Sequence, residues 1–294
     1  PAATLSMLAM RTKAPGLVAG MLEVARVDFR ELIGSAGLYL FIPLIVLQTS
    51  SEFVAVGALQ APLYITPGFA AAQMTNTLSL LLCLLLLFYT VESLVRDEVT
   101  GLAAISHASP ARSVSILFGK ALANAFVGAV VLAVVFVVCL VEILIQGRIP
   151  FRVAPFALVW GLLLLPTVVL WTAFVSAVFS TTRNRYVTYA LALSALALTG
   201  FLQFRGKMNW VGNWNLWDAV RWSDMGPLEL DRTALLLSRL LAVSLAVLFV
   251  AVAVRFYPRT AKDATLVLRR LAPAPLLRGL LSFANHAEVP CPAA

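Results

Sequence analysis

Residues 78–88 read Leu-Ser-Leu-Leu-Leu-Cys-Leu-Leu-Leu-Leu-Phe, the centre of an apolar segment over 74–94. About 20 such residues, wound as a helix, cross roughly 30 Å of hydrocarbon. A helix is the form that a segment immersed in lipid requires, because it satisfies every backbone N–H and C=O internally. Five further segments have the same character, at 34–50, 121–145, 155–180, 186–203 and 234–256. The whole composition agrees: 61% of the 294 residues are hydrophobic and 12% are charged, with a mean hydropathy of +0.92. A soluble domain carries about 25% charged residues, so the chain lacks roughly half of the charge needed to coat a water-facing surface. The expectation is an all-α polytopic membrane protein with six transmembrane helices. Residues 1–33 form an N-terminal region with an interfacial helix, 34–256 the six-span domain, and 257–294 a basic, Pro-containing tail.

Orientation follows from Lys and Arg at the ends of the spans. With six crossings, 15 of the 22 basic residues fall on the side of the termini and 7 on the other, so both termini are expected in the cytoplasm. Segment 186–203 is the shortest after the first; were it not to cross, the C-terminus would change sides. Pro43 and Pro166 lie inside spans, where each removes one N–H and neighbouring helices re-satisfy the freed carbonyl. Residues 17–33 intersperse apolar residues with Glu23, Arg26, Asp28, Arg30 and Glu31, which suits a helix in the interface or one leading into the first span. The loop 204–233 packs Trp210, Trp214, Trp217 and Trp222 close together, and is expected to lie on or dip into the leaflet, since tryptophan favours the headgroup level. The chain opens on Pro1, with no recognisable cleavable signal peptide, and reads as a processed or excised segment.

Several chemistries find no support in these residues. Cys83, Cys139 and Cys291 have no metal-ligand or C-x-x-C spacing, and His107 and His286 are far apart. Lys120 follows Gly119, but Val114 and Ala121 occupy positions that a phosphate-binding loop fills with Gly and Ser or Thr. Intramembrane catalysis needs costly polar groups at depth, and the spans offer little beyond Glu142 and Asn124 near their ends. Hydroxyls such as Ser79, Thr90, Thr167, Thr172 and Ser176 are sparse, so a pathway lined by these spans is expected to be apolar. The net charge of +8 is read as topology, with no nucleic-acid partner. Ala121, Ala125, Ala129 and Ala133 recur every four residues, a smooth stripe expected to pack within the chain, the alternative being a subunit interface.

The most informative connection joins the second and third spans. It runs Tyr89-Thr90-Val91-Glu92-Ser93-Leu94-Val95-Arg96-Asp97-Glu98-Val99-Thr100-Gly101-Leu102, then Ser109-Pro110-Ala111-Arg112, then Gly119-Lys120. Glu92 and Arg96 have i,i+4 spacing, Gly101 permits a turn, and Pro110 suits the first turn of a new helix. A short helix over about 102–108 is expected across the mouth of the bundle.

This stretch resembles the permease subunits of ABC transporters of the type-2 exporter class. The matching positions are Glu98, Gly101, Pro110 and Arg112, with Gly119-Lys120 opening the third span, together with the six spans, the interfacial helix and the outer insertion between spans five and six. The resemblance implies that Glu98, Gly101, Pro110 and Arg112 couple the chain to ABC ATPase (nucleotide-binding) subunits. It further implies a second permease copy or homologue as partner, and location in the bacterial cytoplasmic (inner) membrane. No cofactor is expected in this chain, which is not itself an enzyme; ATP and Mg belong to the partner. The implied activity is export of a hydrophobic or amphiphilic substrate. The alternative reading is a non-transporting polytopic anchor or scaffold for an enzyme or regulator. Trp222-Ser223-Asp224, followed by the last span, also resembles the membrane part of permeases fused to a zinc aminopeptidase, so membership in a larger protein stays open.

Overall fold

The computed structural model describes residues 16–59, 64–101, 113–209, 212–216, 220, 222 and 232–257. Every regular element among them is helical: α1 (Leu17–Ile33), α2 (Ala36–Leu59), α3 (Pro67–Val99), α4 (Ser113–Gln146), α5 (Ala154–Thr182), α6 (Arg185–Phe204) and α7 (Arg232–Phe256). Six of these, α2 to α7, are long and apolar enough to cross a membrane. The chain is therefore an all-α polytopic membrane protein. α6 is among the six: its 20 residues rise about 30 Å, enough to match the hydrocarbon.

Helix starts follow local chemistry. Thr66 caps α3 by accepting from the Phe69 N–H at 3.3 Å, with Pro67 in the first turn. Asn184 caps α6 by accepting from the N–H groups of Tyr186 (2.9 Å) and Val187 (3.4 Å). α3 and α4 reach 33 and 34 residues, about 50 Å each. Both overshoot the hydrocarbon, so their ends carry charge out of it. The spans expected at 74–94 and 121–145 are thus only the apolar centres of longer rods. Gly119-Lys120, expected at the opening of the third span, lies well inside α4.

α3 is the centre of the bundle. Over its most apolar window 72% of residues are buried, against 28% or less for α2, α4, α6 and α7. Leu78, Leu82, Leu85, Leu86 and Leu87 are almost wholly enclosed. Lipid tails are as apolar as leucine, so close packing and hydrogen bonds hold such a bundle in place of a hydrophobic driving force. Two indoles on α5 supply those bonds. Trp160 Nε1 donates to the carbonyl of Ala71 (3.2 Å) and Trp171 Nε1 to that of Cys83 (2.6 Å), each satisfying a polar edge while burying the ring.

α5 contains a π-helical segment over Val159–Leu164, immediately before Pro166. A donor from a neighbouring helix reaches this turn: Arg239 of α7 gives Nη1 to the Leu163 carbonyl at 3.1 Å and to Thr167 Oγ1 at 2.7 Å. The described part of the Trp-rich loop is tucked into the helix bundle. Asn213, Asn215 and Leu216 are buried, and Trp214 stacks on Trp171 with centroids 5.3 Å apart and rings 7° from parallel. Its indole donates to Thr199 Oγ1 at 3.1 Å. Trp210 and Trp217 lie outside the described residues.

The alanine stripe of α4 departs from expectation. Ala125, Ala129 and Ala133 are exposed, while the buried face carries Ala123, Val127, Val131, Val135, Cys139 and Ile143. The two rows are two residues apart, about 200° around a helix, so packing one turns the other outward. Ala121, Ala125 and Ala129 line an apolar groove of about 330 Å³ with residues of α5 and α7.

Candidate functional site

α1 ends at Gly34-Ser35, a break fixed by Ser35: its hydroxyl donates to the Leu32 carbonyl and lies 2.7 Å from the Tyr89 hydroxyl. The helix does not lie free in the interface but packs along the first turns of α4. Gly119 makes that approach possible. A Cβ there would sit 2.6 Å from Val24 Cβ and 2.8 Å from the Met21 carbonyl, closer than nonbonded atoms tolerate. Gly119→Val is expected to push α1 off α4 at a cost of about 2 kcal/mol, read as faster proteolysis within 17–33; unchanged protection would show that the helices need no such contact.

The buried stripe of α1 includes Gly20, Ala25, Asp28 and Leu32, so a carboxylate sits where an apolar residue is the norm. Asp28 is 7% exposed and is fully answered. Ser93 Oγ donates to its Oδ2 at 2.6 Å, Lys120 Nζ lies 3.6 Å from the same oxygen, and Arg96 Nη1 lies 3.5 Å from Oδ1. Lys120, 3% exposed, also donates to the Ser93 carbonyl at 2.5 Å and lies 3.6 Å from Asp97 Oδ2. Arg96 reaches Glu31 Oε2 at 2.5 Å. One turn deeper, Asn124 Nδ2 donates to Thr90 Oγ1 at 3.4 Å, while its Oδ1 is buried without a partner. Three helices are thus joined by one charged knot. Arg96 turns to α1 rather than to Glu92, which the i,i+4 spacing had paired with it. Glu92 is exposed and acts electrostatically on Arg185 and Tyr189 of α6. Tyr257, just past α7, borders the same knot: burial pushes its phenol above the usual tyrosine range, and Asp97, Asp28 and Glu98 add to that.

Of the expected coupling residues, Glu98 and Gly101 stand at the exit of α3, directly after Arg96 and Asp97. The Gly101 N–H donates to the Glu98 carbonyl at 3.2 Å, and Gly101 has φ +72°, a left-handed conformation costly for other residues. Pro110, Arg112 and the helix expected over 102–108 lie outside the described residues. Sequence reasoning missed the knot itself. The signal for it was Asp28, on the stripe that Ala25 and Leu32 define.

At the opposite end of the bundle, the helices are less apolar than expected. α2 continues past 50, and this brings Glu52 beside α3. Gln48, Glu52, Gln73, Asn76, Thr77 and Gln203 share the lining of a cavity of about 750 Å³. A pathway through these spans is therefore not uniformly apolar.

Comparison with known proteins gives no relative: no protein-family model matches the chain, and no curated protein is similar to it.

Proposed function

We propose that this chain is the permease subunit of an ATP-driven exporter of the ABC type-2 class. The observation that carries the reading is the charged knot of Asp28, Glu31, Ser93, Arg96, Asp97 and Lys120, which ties α1, α3 and α4 together immediately before the 98–112 connection. A partner pressing on that connection would move three helices as one body. Packed elements joined by buried ion pairs shift between discrete arrangements rather than deforming continuously. In this reading the connection faces the cytoplasm of a bacterial inner membrane, and two ABC ATPase subunits, holding ATP and Mg, dock there. The exporter comprises two permease chains, alike or different. Glu98, Gly101, Pro110 and Arg112 transmit the stroke and take part in no bond-breaking step.

A mild-detergent pull-down from native membranes tests the reading. An ATP-hydrolysing subunit that co-purifies, and is lost when 98–112 is substituted, supports it. An intact membrane complex without an ATPase overturns it in favour of an anchor. Gly101→Val should leave membrane insertion intact and uncouple ATP hydrolysis from transport, since a β-branched residue at φ +72° costs about 1–2 kcal/mol and redirects the chain leaving α3. Undiminished transport in that variant would remove Gly101 from the coupling path.

A further inference from the structure

The cavity at the far end of the bundle has a composition that selects its ligand. On α2, Leu44, Gln48 and Glu52 follow at four-residue spacing, one face of the helix. On α3, Gln73, Asn76, Thr77, Leu80 and Leu81 follow the 3, 4, 7, 8 pattern of a single face. α6 closes the space with Gly200, Gln203 and Phe204. The α2 and α3 walls are thus polar toward the end of the bundle and apolar toward its middle, while α6 places Gln203 and Phe204 side by side at that end. Leu44 and Phe204 are exposed at the rim, so a molecule in the leaflet can enter sideways. Such two-part lining suits an amphiphile, with its head among the amides and its apolar part against Leu44, Leu80 and Leu81.

The sign of the head follows from the charges. Glu52 is the one ionisable side chain among the described residues of this lining. Its Oε1 accepts from Gln48 Nε2 at 3.3 Å and from the Thr77 hydroxyl, whereas Oε2 is buried with no hydrogen-bond partner. Arg205, just past α6, lies over the Phe201 ring at 5.1 Å. A carboxylate beside hydrocarbon is costly without a counter-charge, and among the described residues of the lining no lysine or arginine supplies one. The lining also carries the amides of Gln48, Gln73, Asn76 and Gln203, whose oxygens are ligands of the kind that suits a cation.

We propose that the cavity between α2, α3 and α6 binds amphiphilic organic cations, with Glu52 as the residue that sets charge preference. As the substrate site of an exporter, this assignment rests on the transport reading above; as a binding site it does not.

Tetraphenylphosphonium and tetraphenylborate have nearly the same shape and opposite charge, which makes them suitable probes. Binding of each is measured by equilibrium dialysis on the full chain in nanodiscs, against empty nanodiscs. The phosphonium should bind the protein saturably and the borate should not. Glu52→Gln, which keeps the side-chain shape, should weaken phosphonium binding about tenfold, as loss of a close charge partner does. Gly200→Leu, which fills the cavity from α6, should abolish it while leaving the Glu52 bonds to α3 in place. Equal binding of the two probes, or phosphonium binding that neither substitution changes, overturns the proposal. Saturable cation binding without an associated ATPase would sink the transport reading and leave the site standing. An associated ATPase without cation binding would do the opposite.

Discussion

Asp28→Leu is expected to destabilise the protein by about 3 kcal/mol, the order of loss when one partner of a buried ion pair is removed and the other stays. Lys120 is the reason. At 3% exposure it has no route to water without moving α1 or α4, and the substitution leaves it only the Ser93 carbonyl and Asp97 Oδ2. Arg96 loses less, because Glu31 continues to hold it at 2.5 Å. The loss should appear as a lower midpoint in a denaturation series in detergent micelles, with proteolysis beginning in α1. Lys120→Met alone should be milder, since Asp28 keeps Ser93 and Arg96. The double variant should cost less than the sum of the two singles, because removing both charges strands neither. A cost for Asp28→Leu below about 1 kcal/mol, the range of solvated pairs, would mean that the knot is open to water and transmits little.

The same residues mark where sequence reading ran out. The six spans were legible because a helix in lipid must be apolar for about 20 residues, and runs such as 78–88 admit no other reading. Span ends were not, because α3 and α4 continue as amphipathic rods where hydropathy falls. Hence Lys120 read as a residue at the membrane edge, although Gly119 draws α1 over it and buries it. Arg96 read as a partner of Glu92 because local spacing was the information at hand; the competing carboxylates of Asp28 and Glu31 lie 68 and 65 residues away. The alanine stripe misled for the opposite reason: small residues allow close approach but do not compel it, and α4 packs its valine face instead. The first span expected from sequence ends at 50, short of Glu52, because its apolar run thins there, where α2 in fact continues and turns polar residues toward α3.

Arg239→Met should release the 212–216 segment from the bundle. Arg239 is 4% exposed within α7, a placement that lipid penalises by several kcal/mol unless acceptors surround the guanidinium. Here both Nη groups have them, the carbonyls of Leu163 and Trp214 at 3.1 and 3.0 Å, Thr167 Oγ1 at 2.7 Å and Ser238 Oγ at 3.1 Å, while Nε is buried without a partner among the described residues. Thr167 in turn donates to the Trp214 carbonyl at 3.1 Å, so the loop is held by a chain of bonds whose members polarise one another. Methionine restores most of the volume and none of the donors. Removing the strong donor of the Leu163 carbonyl, which keeps only Thr167 Oγ1 at 3.5 Å as a side-chain donor, and halving the hold on Trp214 costs about 1–3 kcal/mol each, and relief of the buried charge offsets part of that. The net is a loss of about 2 kcal/mol concentrated at the loop rather than spread over the helices. Two readouts separate this from general unfolding. An Asn213→Cys probe, buried in the parent, should label rapidly once Arg239 is replaced, and tryptophan emission should shift red as Trp214 leaves Trp171. Helix content should stay constant, because Trp160 and Trp171 still bind α5 to α3. Slow labelling in the Arg239→Met background would mean that stacking on Trp171 and the Thr199 bond suffice to hold the loop. The guanidinium would then serve the widened turn of α5 alone.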